Sequence, residues 1–168
     1  TERDGLPTEI ADEHFYNTPE FFAENIHKYD NYPRKAQGGP EIFVGEYAVT
    51  AGQPGSLRAA LGEAIFLMGM ERNQDIVNLA SYAPLFENIS FYNWYPNLIC
   101  FDNTNSYGIP SWHMLKLMGG NRGTQFVDAK TETEIGYKPM AGVFSLFAND
   151  AFSFKNAKID GAAVAVEA

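Results

Sequence analysis

Cysteine is almost absent from this chain, with Cys100 the single one in 168 residues. One cysteine allows neither an internal disulfide nor a cysteine-built zinc cluster. It sits in the apolar run Leu98-Ile99-Cys100-Phe101 without a charged neighbour, the setting of an inert buried thiol and not of a nucleophile. Histidine is scarce too: His14, His27 and His113, of which the last two fall on expected helices, so a three-histidine zinc site does not fit. His-Glu-x-x-His, Gly-x-Ser-x-Gly and a phosphate-binding glycine loop are all missing. Basic residues are outnumbered 21 to 12, giving a formal charge of −9. Such a surface repels phosphate backbones and argues against a nucleic-acid partner, while a neutral polysaccharide is not repelled. No apolar run reaches the roughly 18 residues a membrane span needs. The opening Thr1-Glu2-Arg3-Asp4-Gly5 is polar, without an initiator Met or a signal peptide, so the natural N-terminus is expected elsewhere. No metal or organic cofactor is called for.

Aromatic residues are abundant: 13 Phe, 9 Tyr and 2 Trp. They serve first as large core side chains. Sugar rings also stack their C–H faces on such rings, so a carbohydrate ligand is compatible with the composition.

The chain reads as strands alternating with helices. A strand is expected over 8–16, then a helix over 19–29 capped by Thr18 with Pro19 in its first turn. After Gly38-Gly39-Pro40 comes Ile42-Phe43-Val44, a compact apolar run of a strand buried on both faces, ending at Gly45-Glu46-Tyr47. Ser56 caps a helix from Leu57 to about Asn73, with Leu57, Leu61, Ala64, Leu67 and Met68 as its packed stripe. A third strand is expected over 76–80, a long aromatic loop over 91–96, and a helix opened by Pro110 and closed by Gly119-Gly120. This order is that of a parallel α/β domain over residues 1–121. The pattern then changes: 143–147, 151–154 and 163–166 read as strands, so 122–168 is expected to be an all-β segment.

Two strand ends carry chemistry. One is Asp12-Glu13-His14-Phe15-Tyr16, the other Gly45-Glu46-Tyr47. In a (β/α)8 barrel catalytic groups sit where strands end. Gly45 removes a side chain there and admits a close neighbour. The plain alternatives remain: a surface Glu opening a turn, and a histidine in a structural role. Tyr47, Tyr82, Trp94 and Tyr95 serve either as sugar platforms or as packing residues with polar tips.

Several ordered words carry a resemblance: Asp-Glu-His-Phe-Tyr at 12–16, Phe-Val-Gly-Glu-Tyr-Ala at 43–48, Gly-Met-Glu-Arg-Asn at 69–73, Ala-Ser-Tyr-Ala-Pro-Leu-Phe at 80–86, Leu98 to Asn103, and Tyr107-Gly108-Ile109-Pro110. From about Ile10 to Asn121 the chain resembles the α-L-arabinofuranosidases of glycoside hydrolase family 51. The resemblance implies the C-terminal portion of a (β/α)8 TIM barrel, strands six to eight, followed by a β-sandwich segment. It implies Glu46 as the nucleophile at the end of strand seven. His14 would line the sugar site and Tyr16 approach the nucleophile, with Tyr82 at the mouth of strand eight and Trp94 on the subsite wall. Glu13 would point to the opposite face of its strand by alternation.

The family's second glutamate, an acid/base in an Asn-Glu pair, has no match here. Glu9, Glu13 and Glu20 do not fit that motif. An N-terminal remainder of the same enzyme, as a separate chain, is therefore expected to supply it. The implied reaction releases terminal arabinofuranose from arabinan or arabinoxylan by double displacement, and Glu46, ionised, needs a donor such as Tyr16. A related hydrolase of the same clan (an endoglucanase or xylosidase) and a non-catalytic carbohydrate-binding fragment are the alternatives. A plant-wall substrate and the sequon Asn88-Ile89-Ser90 point to a secreted glycoprotein more than to a cytoplasmic one.

Overall fold

The structure is a computed structural model that describes residues 8–123 and the strand backbone of 158–159 and 162–163. The chain divides into two units, Thr1–Arg122 and Gly123–Ala168. In the first, three parallel strands form one sheet in the order β1 (Ile10–Asn17), β2 (Glu41–Val49), β3 (Val77–Tyr82). Helix α1 (Pro19–Glu24) follows β1, α2 (Leu57–Arg72) follows β2, and α3 (Pro110–Gly120) follows a small second sheet. That sheet comprises β4 (Phe86–Asn88), β5 (Ile99–Phe101) and β6 (Ser106–Gly108), with β4 and β5 parallel and β5 and β6 antiparallel. In the second unit, β7 (Lys158–Ile159) pairs antiparallel with β8 (Ala162–Ala163). The expected strands at 143–147 and 151–154, and residues 164–166, lie outside the described residues.

The caps form where the sequence places them. The Thr18 hydroxyl accepts from the Phe21 amide, and the Ser56 hydroxyl accepts from the Ala59 amide, each satisfying a helix-end donor. The helix expected over 19–29 is shorter: α1 ends at Glu24, and a 3-10 turn takes Asn25–His27. The amide of Asn25 reaches back to the Phe21 carbonyl, a side-chain bond that competes with the helix ladder. The aromatic stretch expected to be loop throughout is flanked by β4 and β5, both too short for a periodic signal.

The stripe expected on α2 is corrected. Leu57 and Met68 are exposed, and the buried residues are Ala59, Ala60, Gly62, Glu63, Ile65, Phe66, Gly69 and Met70. Glycines explain the choice. A Cβ at Gly62 would lie 2.8 Å from the Pro19 carbonyl oxygen, and one at Gly69 would lie 2.2 Å from that of Ile26. Backbone lies against backbone along this seam, so the small residues face inward and some leucines outward. Phe22, Tyr47 and Phe66 fill the space beneath, with ring centroids 5.4 to 6.5 Å apart in edge contacts. Beyond the helix, Asn73 donates to the Gly69 carbonyl and to Asp30, and Arg72 also holds Asp30. The word Gly-Met-Glu-Arg-Asn is thus a packing and clamping device.

Candidate active site

One face of the sheet packs on helices, and the other carries the polar residues. In β1 Ile10, Asp12, His14 and Tyr16 are exposed, as is the terminal Asn17, while Ala11, Glu13 and Phe15 are partly buried. The period of two of an extended chain produces this split. Glu13 faces the helix side as expected, accepting from the hydroxyls of Tyr29 and Tyr32.

In β2 the period slips. Ile42 and Val44 are buried in alternation, whereas Tyr47, Ala48 and Val49 are all buried, so the alternation does not carry past 44. The ladder shows why. Glu13 pairs with Val44, yet His14 pairs with Glu46, so Gly45 has no partner in β1. Gly45 is the extra residue of a β-bulge, a device that re-aims the side chains after it. An unbroken ladder would place Glu46 on the helix face; the bulge turns it to the face of His14 and Tyr16.

There the Tyr16 hydroxyl donates to Glu46 Oε2 at 2.5 Å, and His14 Nδ1 stands 3.4 Å from the same oxygen. Burial first, then the hydrogen bond and charge of Glu46, push the Tyr16 phenol up from 10.0 to about 12. The Trp94 ring stands edge-on to Tyr16, centroids 5.9 Å apart, and remains half-exposed. Its loop is anchored by Asn97, whose amide donates to the Trp94 carbonyl and to the buried Glu87 carboxylate of β4. Among the described residues, no group of three or more His, Cys, Asp or Glu side chains is placed to hold a metal ion.

Four of the five expected site residues, His14, Tyr16, Glu46 and Trp94, therefore stand together. Tyr82 does not. It is 8% exposed, pairs with Tyr47 in the ladder and packs against that ring at 5.6 Å on the helix side. The bulge sends Tyr47 to that face, and Tyr82 goes with its pairing partner. Around it lies a buried polar group: Glu63 Oε2, the Tyr82 hydroxyl and the Ser111 hydroxyl, neighbours none of which attains good hydrogen-bond geometry. Glu63 Oε1 accepts from the Val49 amide at 2.8 Å. Burial pushes the Glu63 carboxyl up from 4.5 to about 7, against the pull of Ser111, Val49 and Tyr82.

Asp12 was not among the expected site residues, although its spacing from His14 and Tyr16 along a strand places all three on one face. Its Oδ2 lies 3.1 Å from His14 Nε2, and its Oδ1 accepts from the Gly45 amide at 3.1 Å.

Comparison with known proteins gives the family. The sequence model of the α-L-arabinofuranosidase C-terminal domain matches residues 45–161. An extracellular exo-α-L-arabinofuranosidase of Streptomyces chartreusis is 42% identical over 125 residues, which is 74% of this chain and 14% of that protein. α-L-Arabinofuranosidase 2 of Arabidopsis thaliana is 44% identical over 108 residues, 63% of this chain and 16% of that protein. The solved structure of an arabinose-bound GH51 α-L-arabinofuranosidase superposes with a TM-score of 0.65 at 34% identity, covering 70% of this chain and 20% of that one. The chain thus spans a small fraction of the length of these relatives, and it belongs to the α-L-arabinofuranosidases of glycoside hydrolase family 51.

Proposed function

We propose that this chain carries the nucleophile half of a retaining arabinofuranosidase site, with Glu46 as the attacking carboxylate. The observation that supports it most is the convergence of Tyr16 and His14 on Glu46 Oε2 in the C-terminal halves of adjacent parallel strands. With Oε2 held, Oε1 attacks the anomeric carbon while the bond from that carbon to the glycosidic oxygen breaks. A second glutamate protonates the departing oxygen. The same group then takes a proton from water, which attacks the anomeric carbon and releases arabinose and the Glu46 carboxylate. Trp94 forms a wall beside the bound sugar.

The acid/base glutamate belongs, in this reading, to the part of the enzyme beyond these 168 residues, in a chain of its own or in continuous sequence. The relatives are several times longer. Strands β1 to β3 are then strands six to eight of a (β/α)8 barrel, and residues 122–168 belong to a β-sandwich. Two features favour the barrel: Ile10 and Leu79 are exposed on the outer strands, and parallel sheets are ordinarily covered on both faces. The substrates are terminal α-L-arabinofuranosyl groups of arabinan or arabinoxylan. Secretion accords with the description of the Streptomyces relative as extracellular.

The test is an arabinofuranose-configured mechanism-based inactivator applied to the complete enzyme, followed by peptide mass mapping. One sugar adduct on Glu46 is expected. An adduct on another carboxylate, or tight sugar binding with none, overturns the assignment. Intact mass of the native sample distinguishes a separate N-terminal chain from a continuous one, and a substrate panel distinguishes arabinofuranosides from xylosides and glucans.

A further inference from the structure

Asp12 makes two contacts that meet at the bulge. Its Oδ1 accepts a hydrogen bond from the amide of Gly45, the residue with no partner in the ladder of β1. Its Oδ2 lies 3.1 Å from Nε2 of His14, whose Nδ1 faces Glu46 at 3.4 Å. The fit is close: a Cβ on residue 45 would lie 2.2 Å from Asp12 Oδ1 and 3.0 Å from His14 Nε2. The glycine therefore makes room for this carboxylate as well as turning Glu46.

We propose that Asp12 is a positioning residue, which fixes both the backbone before Glu46 and the proton arrangement of His14. This rests on the reading of Glu46 as the nucleophile. A carboxylate only accepts hydrogen bonds, so Asp12 holds the proton of His14 on Nε2. The Nδ1 facing Glu46 is then either a lone pair, in the neutral ring, or a second N–H, in the charged ring. A neutral ring with its single proton on Nδ1 is disfavoured, and with it a permanent neutral donor to the nucleophile.

Asparagine at position 12 separates this role from simple support. Its carbonyl can still take the Gly45 amide, but its NH2 would then face His14 Nε2 and demand a lone pair there, moving the ring proton to Nδ1. In the complete enzyme, D12N is expected to keep the wild-type melting temperature and KM. Its kcat per titrated active site should fall by about tenfold or more, the scale of one hydrogen bond involving a charged group. D12A should lose both stability and kcat. The 15N chemical shifts of the His14 ring report the tautomer directly and should move in D12N. If D12N restores kcat along with stability, or lowers kcat with no change in the ring shifts, Asp12 is structural only and the proposal falls. E46Q serves as the control: if it turns over normally, the reading of the nucleophile fails, and a normal D12N beside an inactive E46Q sinks the Asp12 proposal alone.

Discussion

His14 and Glu46 stand opposite each other across the β1–β2 ladder, Nδ1 to Oε2 at 3.4 Å, because β2 spends one more residue than β1 on reaching that point. The shared face of these two side chains is thus a consequence of Gly45.

Glu46→Gln keeps the shape and removes the carboxylate that we propose as the nucleophile. In the complete enzyme kcat should fall by roughly a thousandfold or more, while binding of arabinose, followed by calorimetry, survives. Wild-type turnover in this variant would remove Glu46 from the role.

Tyr16→Phe deletes the donor on Oε2. Tyr16 is 36% exposed in this chain, so the loss should sit near the lower end for a hydrogen bond to a charged group, about tenfold in kcat. The phenol is raised from 10.0 to about 12, so the folded state holds this proton more tightly than the unfolded one. Its contribution to stability is complete below pH 10 and is lost as pH rises through about 12. A kcat profile should therefore show no alkaline limb from Tyr16 below pH 10. A limb near neutrality that disappears in Tyr16→Phe would contradict this.

Glu63→Gln tests the buried polar group behind the strands. The raised carboxyl of Glu63 means that between pH 4.5 and about 7 the folded state keeps a proton which the unfolded state releases. Stability from this group is greatest below the lower value, declines through the window and is flat above it, a change of about 3 kcal/mol. The amide side chain of the variant can still accept from the Val49 amide and cannot ionise. Urea midpoints at about pH 5 and about pH 8, on either side of most of that window, should diverge less in the variant than in the wild type. An identical decline in both proteins would exonerate Glu63.

Gly69→Ala should destabilise more than Gly62→Ala. The new methyl meets the Ile26 carbonyl oxygen at 2.2 Å and its carbon at 2.9 Å, against 2.8 Å from the Pro19 carbonyl oxygen at the other site. The neighbours are backbone in both cases, so overpacking costs of about 1–3 kcal/mol apply, with Gly69 at the upper end. Denaturant melts of the two variants would give the order, and equal midpoints would contradict it.

Much of this was legible in the sequence. Thr18 and Ser56 announce their helices because a side-chain cap is a local event. The run Ile42-Phe43-Val44 announces a strand because burial on both faces needs no partner to be recognised. The face assignments were harder. Tyr82 is expected at the mouth of the last strand as a substrate-binding residue, and the slip of register that places it against Tyr47 is a property of strand pairing that no single strand contains. The α2 stripe failed for a related reason: leucine spacing reports an apolar face, but the glycines at 62 and 69 decide which face another backbone can reach. Asp12 was readable from alternation with His14 and Tyr16, and its use became visible only once Gly45 was seen to leave an amide free for it.

The unmatched glycine also makes the site sensitive to length in a way that most of the strand is not. Removing Gly45 would bring the β1–β2 pairing back into step and leave a regular sheet. Every later residue of β2 would then exchange inside for outside, and the carboxylate of Glu46 would be directed into the helices. Such a deletion is expected to give a protein whose circular dichroism still reads as α/β, with no turnover and no inactivator adduct. In this chain, reading frame in the geometric sense decides which face of the sheet Glu46 occupies, and one residue without a side chain keeps it.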